Sequence, residues 1–263
     1  MDSLSVDPRY QSLFDELRIG NCAQAFDFFV NVKIDPADKA FIKTRELAWA
    51  GKPLLVFFKQ YAFATPSWKF LGRASKARRE FENYEVFQRL SISSAERVAC
   101  GEQRDWMGRL RRAFIVTRAV PNACTLLEFV PKHCPDATSP ERKKMRASII
   151  TQLAGMTRRI HEANFFHNDL FWRNILVQFS PGAEPKLCWI DCPRGKFRSS
   201  LFRPYRARLR DLAALDQPSE KFFSPRERIT FMKLYLGQER PNATAKQVIR
   251  DALSYRRDHW PER

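Results

Sequence analysis

The chain has 263 residues, 44% of them hydrophobic and 22 of them Phe, enough to fill a substantial core and to exclude a mainly disordered chain. Its 46 Lys+Arg against 29 Asp+Glu give a formal net charge of +17, which points to an anionic partner: nucleic acid, acidic lipid or a phosphorylated small molecule. The six cysteines (Cys22, Cys100, Cys124, Cys134, Cys188, Cys192) form no C-x-x-C pair and no zinc spacing with histidine, so they predict reduced thiols packed as core fillers in a cytoplasmic protein.

The first residues, MDSLSVDPRY, carry no basic segment followed by an apolar run. No stretch approaches the roughly 18 apolar residues of a membrane span, so the protein is expected to be soluble or at most peripheral to a membrane. Two β-like runs follow, DFFVNVKI (27–34) and PLLVFFKQY (53–61), the second entered through the turn signal AGKP after the strand-like KTRELAWA (43–50). They predict a small antiparallel sheet, with Lys59 ending its last apolar run, where a strand would deliver an ammonium into a cleft. In SKARREFENYEVFQRL (75–90), Phe81, Tyr84, Val86, Phe87 and Leu90 recur at near-helical spacing and predict an amphipathic helix. RAFIVTRAV (112–120) predicts a buried strand, and residues 121–140 a connection between lobes.

A long helix is predicted from TSPER, where Ser139 caps, Pro140 suits the first position and Glu141 favours the positive end. Ile149, Ile150, Leu153, Met156 and Ile160 turn one face inward, and the helix should end near Asn164. After it come a polar loop, the strand NILVQF (174–179), the turn SPGAEP and the strand KLCWID (186–191). The tail predicts helices near 225–236, capped by Ser224-Pro225 and stopped by Gly237, and near 244–258.

The loop HNDLFWRN (167–174) has a plain reading, since Asp and Asn favour turns and Asp169 alone would serve as a local cap. Its company argues for chemistry. Transfer of the γ-phosphoryl group of ATP needs a base near the acceptor hydroxyl, metal ligands bridging the phosphates, and a lysine held on the phosphates by a glutamate. The chain supplies these types in order: Lys59 at the end of a strand, Glu80 in the next helix, Asp169 and Asn174 in the loop, and Asp191 ending the strand after it. HNDLFWRN fits the pattern H-x-D-x-x-x-x-N, and WID stands where a metal-binding aspartate follows. Two basic stretches remain, SWKFLGRASKARR (67–79) and RGKFRSSLFRPYRARLR (194–210), and charge runs usually only solvate a protein.

With these motifs in place the chain resembles the bacterial lipopolysaccharide kinase family, the InaA-like and core heptose or Kdo kinases, over roughly residues 20–240. The resemblance rests on VFFKQY, RREFENYEVFQRL, FIVTRAV, FFHNDLFWRNILV, WIDCPRGKFR and RDLAAL taken together. It implies an α+β, two-lobed protein-kinase-like fold in a single domain, 1–263, with a small antiparallel β N-lobe (20–120) and a mainly helical C-lobe (121–263). It implies an enzyme: an ATP-dependent, magnesium-using phosphotransferase that phosphorylates a heptose or Kdo hydroxyl of the lipopolysaccharide core, peripherally at the cytoplasmic face of the inner membrane. By the same resemblance Lys59 would hold the α/β-phosphates with Glu80 as its partner. Glu82 and Glu85 fit less well, because Glu80 leaves Tyr84 and Phe87 where such a helix packs. Asp169 would orient or deprotonate the sugar hydroxyl, Asn174 and Asp191 would hold magnesium, Asp211 would brace the loop from below, and His167 would orient it rather than act as a base.

The departures from the family pattern are informative. No G-x-G-x-x-G precedes Lys59 and the chain has only 9 Gly, so another loop, DPADKAF (35–41), is the candidate phosphate cover. Asn168 replaces the usual arginine and the metal motif reads Asp191-Cys192-Pro193, which argues against control by activation-loop phosphorylation. Only about 20 residues separate Asp191 from Asp211, which favours a glycan or small-molecule acceptor over a polypeptide. In that span Arg194, Lys196 and Arg198, then Arg203, Arg206, Arg208 and Arg210, suit an acceptor rich in carboxylates or phosphates. In the first basic stretch Trp68, Phe70 and Leu71 interleave with Lys69, Arg73, Lys76, Arg78 and Arg79, which suits an anionic membrane surface, while nucleic acid is not an expected partner. Two rivals stand. A same-fold phosphotransferase for a free small molecule is disfavoured for cationic aminoglycosides by the +17 charge. A catalytically inactive pseudokinase that binds lipopolysaccharide or nucleic acid through charge is disfavoured by intact Lys59, Asp169, Asn174 and Asp191.

Overall fold

A computed structural model of the chain describes residues 2–30, 41–199, 204–240 and 242–260. It divides into two compact units, Met1–Val86 with Ala95–Ala119, and Phe87–Ser94 with Val120–Arg263.

The first unit is built on a five-stranded antiparallel sheet. Its elements are β1 (Asp2–Val6), α1 (Gln11–Glu16), α2 (Cys22–Phe29), β2 (Phe41–Trp49), β3 (Lys52–Ser67), α3 (Lys76–Arg89, of which residues 87–89 belong to the second unit), β4 (Arg97–Arg104) and β5 (Leu110–Arg118), with strand order β1-β4-β5-β3-β2. Strand alternation decides what β3 presents: Leu54, Val56 and Phe58 are buried in the core, while Leu55, Phe57 and Lys59 lie on the other face. The core is aromatic, with Phe58 stacked on Phe114 at 5.2 Å and Phe26 edge-on to Phe114 at 5.0 Å. Gly101 allows this packing, since a Cβ there would come within 2.8 Å of the Cys22 sulfur and would collide with the Phe114 ring.

Two expectations for this unit fail. DFFVNVKI is no strand at its start: Asp27–Phe29 finish α2, which the Asn21 side chain caps by accepting from the Gln24 N–H at 2.9 Å. The buried set Cys22, Ala25, Phe26 and Phe29 has helical spacing, and the alternation read for 27–34 was the end of that stripe. Residues 31–34 of that run, and 35–40 of the candidate phosphate cover, lie outside the described residues. Nor does Lys59 end its strand, because β3 keeps pairing with β5 through Ala62 opposite Arg112 and again at Ser67 opposite Leu110.

The second unit is mainly helical. It contains β6 (Ala123–Thr125), α4 (Leu126–His133), α5 (Pro140–Glu162), β7 (Phe165–Phe166), β8 (Ile175–Gln178), β9 (Lys186–Trp189), β10 (Lys196–Phe197), α6 (Pro204–Phe222), α7 (Pro225–Leu236) and α8 (Ala243–His259). The supposed connection 121–140 thus holds a strand and a helix of its own, the helix started by a capping box between Thr125 and Glu128. Ser139 caps α5, and Ser224 and a left-handed Gly237 bound α7, as their residue types predict. Arg146, on α5 and only 2% exposed, ties three segments together: it donates to Glu227 at 2.7 Å, to the Cys134 carbonyl at 2.8 Å and to the Phe222 carbonyl at 2.6 Å. The helix α6 was not expected, because its arginines hid an apolar face of Ala207, Leu209, Leu212 and Leu215.

Among the described residues the cysteines form no disulfide, and burial pushes the thiols of Cys22 and Cys100 up to about 12, so these two pack as neutral groups. Among the described residues, no helix is long and apolar enough to cross a membrane.

Candidate active site

In the first unit the Lys59 ammonium lies 3.4 Å from the Glu80 carboxylate, with their side chains 16% and 4% exposed. The strand brings up the lysine and α3 brings up the glutamate. Tyr61 and Tyr84 fix the glutamate further, donating to its two oxygens at 3.3 and 3.5 Å. Glu82 and Glu85 are occupied elsewhere, pairing with Arg78 at 3.0 Å and Arg97 at 3.0 Å. A buried ion pair costs desolvation that its attraction barely repays, so keeping one in a sheet face is better explained by use than by stability. Sequence reasoning missed the surface beside it. Ile42 sits opposite Lys59 in register, and Ile42, Leu55 and Phe57 are 60%, 43% and 40% exposed on the lysine's face of the sheet. Period-two alternation along PLLVFFK was the available signal.

In the second unit, the loop after α5 is built around Asp211, which is fully buried on α6. Its carboxylate accepts from the backbone N–H groups of His167 at 2.8 Å and Asn168 at 2.7 Å, and lies 3.3 Å from His161 Nε2. Asn168 has a φ of 62°, a left-handed conformation that Asn adopts far more readily than a branched or bulky residue. Its amide donates to the carbonyls of Phe166 and Arg194, at 2.9 and 3.2 Å, tying the loop to the basic segment. That gives the Asn in place of the usual arginine a physical task. His167 is buried, stacked at 5.9 Å on Phe87 and edge-on to Trp189 at 5.8 Å, and burial pushes its pKa down, so it packs as a neutral ring.

Asp169 follows directly, with its side chain 18% exposed and Arg173 3.5 Å away. Asn174 donates its amide N–H to the Asp169 carbonyl at 2.8 Å, which turns its side-chain oxygen the other way. The β8–β9 hairpin then sets Asp191: Ile175 pairs with Trp189, so Asn174 just before β8 and Ile190 just after β9 meet, the Ile190 N–H donating to the Asn174 carbonyl at 2.9 Å. Asp191 itself has a φ of 57°, an uncommon backbone state for a non-glycine residue and a pointer to function.

Magnesium takes oxygen ligands and is usually held by one or two carboxylates together with substrate phosphates and waters. The oriented Asn174 amide oxygen and the Asp191 carboxylate, brought to one end of a hairpin, are a donor set that fits it. Among the described residues no three His, Cys, Asp or Glu groups are placed to hold a metal by themselves, so such an ion would draw its remaining ligands from phosphate and water.

The basic segment adjoins this loop. Lys196 and Phe197 pair with Phe166 and Phe165, and the Arg198 N–H donates to the Asn164 carbonyl at 2.9 Å. Arg194 and Lys196 are exposed and Arg198 is half-buried. Arg206, Arg208 and Arg210 lie on α6, and Arg203 is outside the described residues. Sequence reasoning also missed His161, whose Nδ1 lies 2.8 Å from the Tyr235 hydroxyl while Nε2 faces Asp211. It falls on the inward stripe of α5 with Ile150, Ala154 and Thr157, and a polar residue on such a stripe is itself a signal.

Comparison with known families and structures places the chain. No curated protein matches its sequence. Among solved structures it is similar to one described as "WaaP in complex with acyl carrier protein", with a TM-score of 0.69, 20% identity and 97% of each chain covered, and the fold is therefore two-lobed and kinase-like. Residues 63–235 match the family described as "Lipopolysaccharide kinase (Kdo/WaaP) family". The chain belongs to that lipopolysaccharide kinase family, and its activity is that of a phosphotransferase.

Proposed function

We propose that the protein transfers the γ-phosphoryl group of ATP to a heptose or Kdo hydroxyl of the lipopolysaccharide core. The observation that carries this reading is the Asp169 loop, pinned through two backbone N–H groups to buried Asp211, in a chain of a lipopolysaccharide kinase family. Asp169 takes the proton of the sugar hydroxyl as that oxygen bonds to the γ-phosphorus, the bond to the β,γ-bridging oxygen breaks, and ADP leaves. Lys59, steadied by Glu80, holds the α/β-phosphates, and Ile42, Leu55 and Phe57 offer an apolar shelf for the purine ring. Asn174 and Asp191 would hold magnesium, which would supply charge neutralisation on the phosphates. Asp211 keeps the loop in place, and neutral His167 packs beneath it. Arg194, Lys196 and Arg198 receive the carboxylates or phosphates of the acceptor, the arginines by paired donors.

A lipid-anchored acceptor sets the reaction at the cytoplasmic face of the inner membrane, with the protein bound peripherally. The solved relative's partner suggests an acyl carrier protein as a partner here too. The +17 charge favours an acidic partner, and an apolar cavity of about 320 Å³ in the second unit, lined among others by Ile150, Leu153, Trp172, Phe223 and Met232, has the character of an acyl-chain site. The test of the reaction is mass spectrometry of core oligosaccharide from cells with and without the protein. One phosphate on one sugar should be missing in its absence and return with wild type but not with Asp169→Ala. Unchanged phosphate content would end the reading.

A further inference from the structure

The turn between β4 and β5 is built in an unusual way for a surface turn. Asp105, buried at 4% exposure, holds it by accepting from the Met107 N–H at 3.0 Å, the Arg109 N–H at 2.9 Å and the Arg109 guanidinium at 2.7 Å. A second tie runs from the Gly108 N–H to the Asp105 carbonyl at 3.0 Å. What this rigid frame presents is apolar: Trp106 is 85% exposed and Met107 39%. Turn tips are ordinarily polar, and a large aromatic side chain left in water at the end of a pinned turn needs a reason.

A second segment completes the patch. Arg104 donates to the carbonyls of Phe70 at 2.8 Å, Gly108 at 3.1 Å and Arg73 at 2.8 Å, stitching residues 68–73 to the turn. The Arg109 guanidinium stands 5.0 Å from the centre of the Trp68 ring, and the Cβ position of Gly108 is 3.4 Å from Leu71. Trp68 and Leu71 are 56% and 45% exposed, while Phe70 is buried and anchors the segment against Phe63 at 5.6 Å. Lys69 and Arg73 are exposed beside them, and Asp105, the single acid in WKFLGR and RDWMGR, is buried and paired.

We propose that this tip of the first unit is an interfacial membrane anchor, with Trp106, Met107, Trp68 and Leu71 entering the headgroup region of an anionic phospholipid bilayer and Lys69 and Arg73 meeting lipid phosphates. Tryptophan prefers that depth, where its ring is shielded and its N–H stays hydrated, and basic side chains add attraction to anionic headgroups. A partner protein would more often meet a recessed groove or a broad face, whereas four apolar side chains on two stitched turns, ringed by cations, match a lipid surface. The anchor rests on the peripheral membrane location proposed above and gives it a surface, and because vesicle binding requires neither nucleotide nor sugar it is measured apart from phosphate transfer.

The experiment is co-sedimentation of the full chain with phosphatidylglycerol/phosphatidylethanolamine vesicles, and with phosphatidylcholine vesicles for comparison. Wild type should bind the anionic vesicles, and vesicles with brominated acyl chains should quench its tryptophan fluorescence. The double variant W106S/M107S should bind at least about tenfold more weakly and lose most of the quenching, while its circular dichroism and thermal unfolding stay those of wild type. Lys69→Glu with Arg73→Glu should weaken binding to anionic vesicles alone. Trp106→Phe should keep most of the binding and guards against a folding artefact. Wild-type affinity in W106S/M107S would overturn the anchor. So would a wild type that ignores vesicles while the double variant loses association with purified acyl carrier protein, since the tip would then be a protein-docking face.

Discussion

Replacing Asp211 by Asn probes the frame of the Asp169 loop without changing its volume. The buried carboxylate accepts from two consecutive backbone N–H groups, His167 and Asn168, at 2.8 and 2.7 Å. An amide has one accepting oxygen, so one of these N–H groups would face an NH2 donor and be left unpaired in the interior. A lost hydrogen bond to a charged acceptor is worth ~1.5–3 kcal/mol, and a stranded buried donor costs ~1–3 kcal/mol. Against this, the variant no longer buries a charge, which returns part of the loss. A net destabilisation of ~1–3 kcal/mol follows, concentrated in the loop that carries Asp169 one residue further on. Urea unfolding followed by both tryptophan fluorescence and circular dichroism would measure the first part, and single-turnover phosphate transfer the second. Asp211→Asn should lower the unfolding midpoint and reduce kcat more than it raises the KM for ATP. A variant with the wild-type midpoint and wild-type kcat would refute the bracing role.

Asp169→Ala should leave unfolding nearly unchanged, because the side chain's contact with Arg173, at 3.5 Å, is long and weak, and should cut kcat by about 10² to 10⁴-fold, the usual contribution of a positioned base; equal labelling of the acceptor by the variant would remove Asp169 from the chemistry. Lys59→Ala and Glu80→Gln should each raise the KM for ATP, and a double variant should be little worse than Lys59→Ala alone, since the glutamate acts through the lysine; normal ATP kinetics in either single variant would move the phosphate site elsewhere. Glu227 supplies a pH test of stability: burial alone would raise its pKa, but hydrogen bonds from Arg146 and from the Ser224 hydroxyl and N–H outweigh that and bring it from 4.5 to about 2. Because the folded value is the lower one, the stabilisation is fully present above about 4.5 and is lost as pH falls towards about 2, ~1–2 kcal/mol after allowing for partial solvent screening. Glu227→Gln should flatten the decline of the urea midpoint over that window, and parallel curves for variant and wild type would deny the Arg146–Glu227 pair that weight.

The readable parts of this chain were those in which local chemistry and tertiary context agree. Ser139-Pro140-Glu141, Ser224-Pro225 and Gly237 announce helix ends because capping is a local matter of orphan N–H and C=O groups. The pairing of Lys59 with Glu80 over Glu82 or Glu85 was legible because Glu80 leaves Tyr84 and Phe87 on the buried face of its helix. Features that depend on long-range placement were not. The apolar strip Ile42, Leu55 and Phe57 exists only once β2 and β3 are in register, and α6 was hidden because its arginines alternate with the buried residues that define its inner face. Tyr235 reaches His161, and His161 reaches Asp211, through the packing of three helices, and no single stretch of sequence encodes that. The left-handed backbone at Asn168 explains one departure from the expected motif that looked only like a substitution.

The most direct test of the whole account is phosphate transfer by the purified protein. The protein would be incubated with magnesium and ATP labelled in its γ-phosphoryl group, with dephosphorylated lipopolysaccharide core as acceptor. The account predicts label on a heptose or Kdo hydroxyl, dependent on both magnesium and acceptor. Label that stays in ATP, or appears only as inorganic phosphate at the same rate with and without the core oligosaccharide, would contradict it.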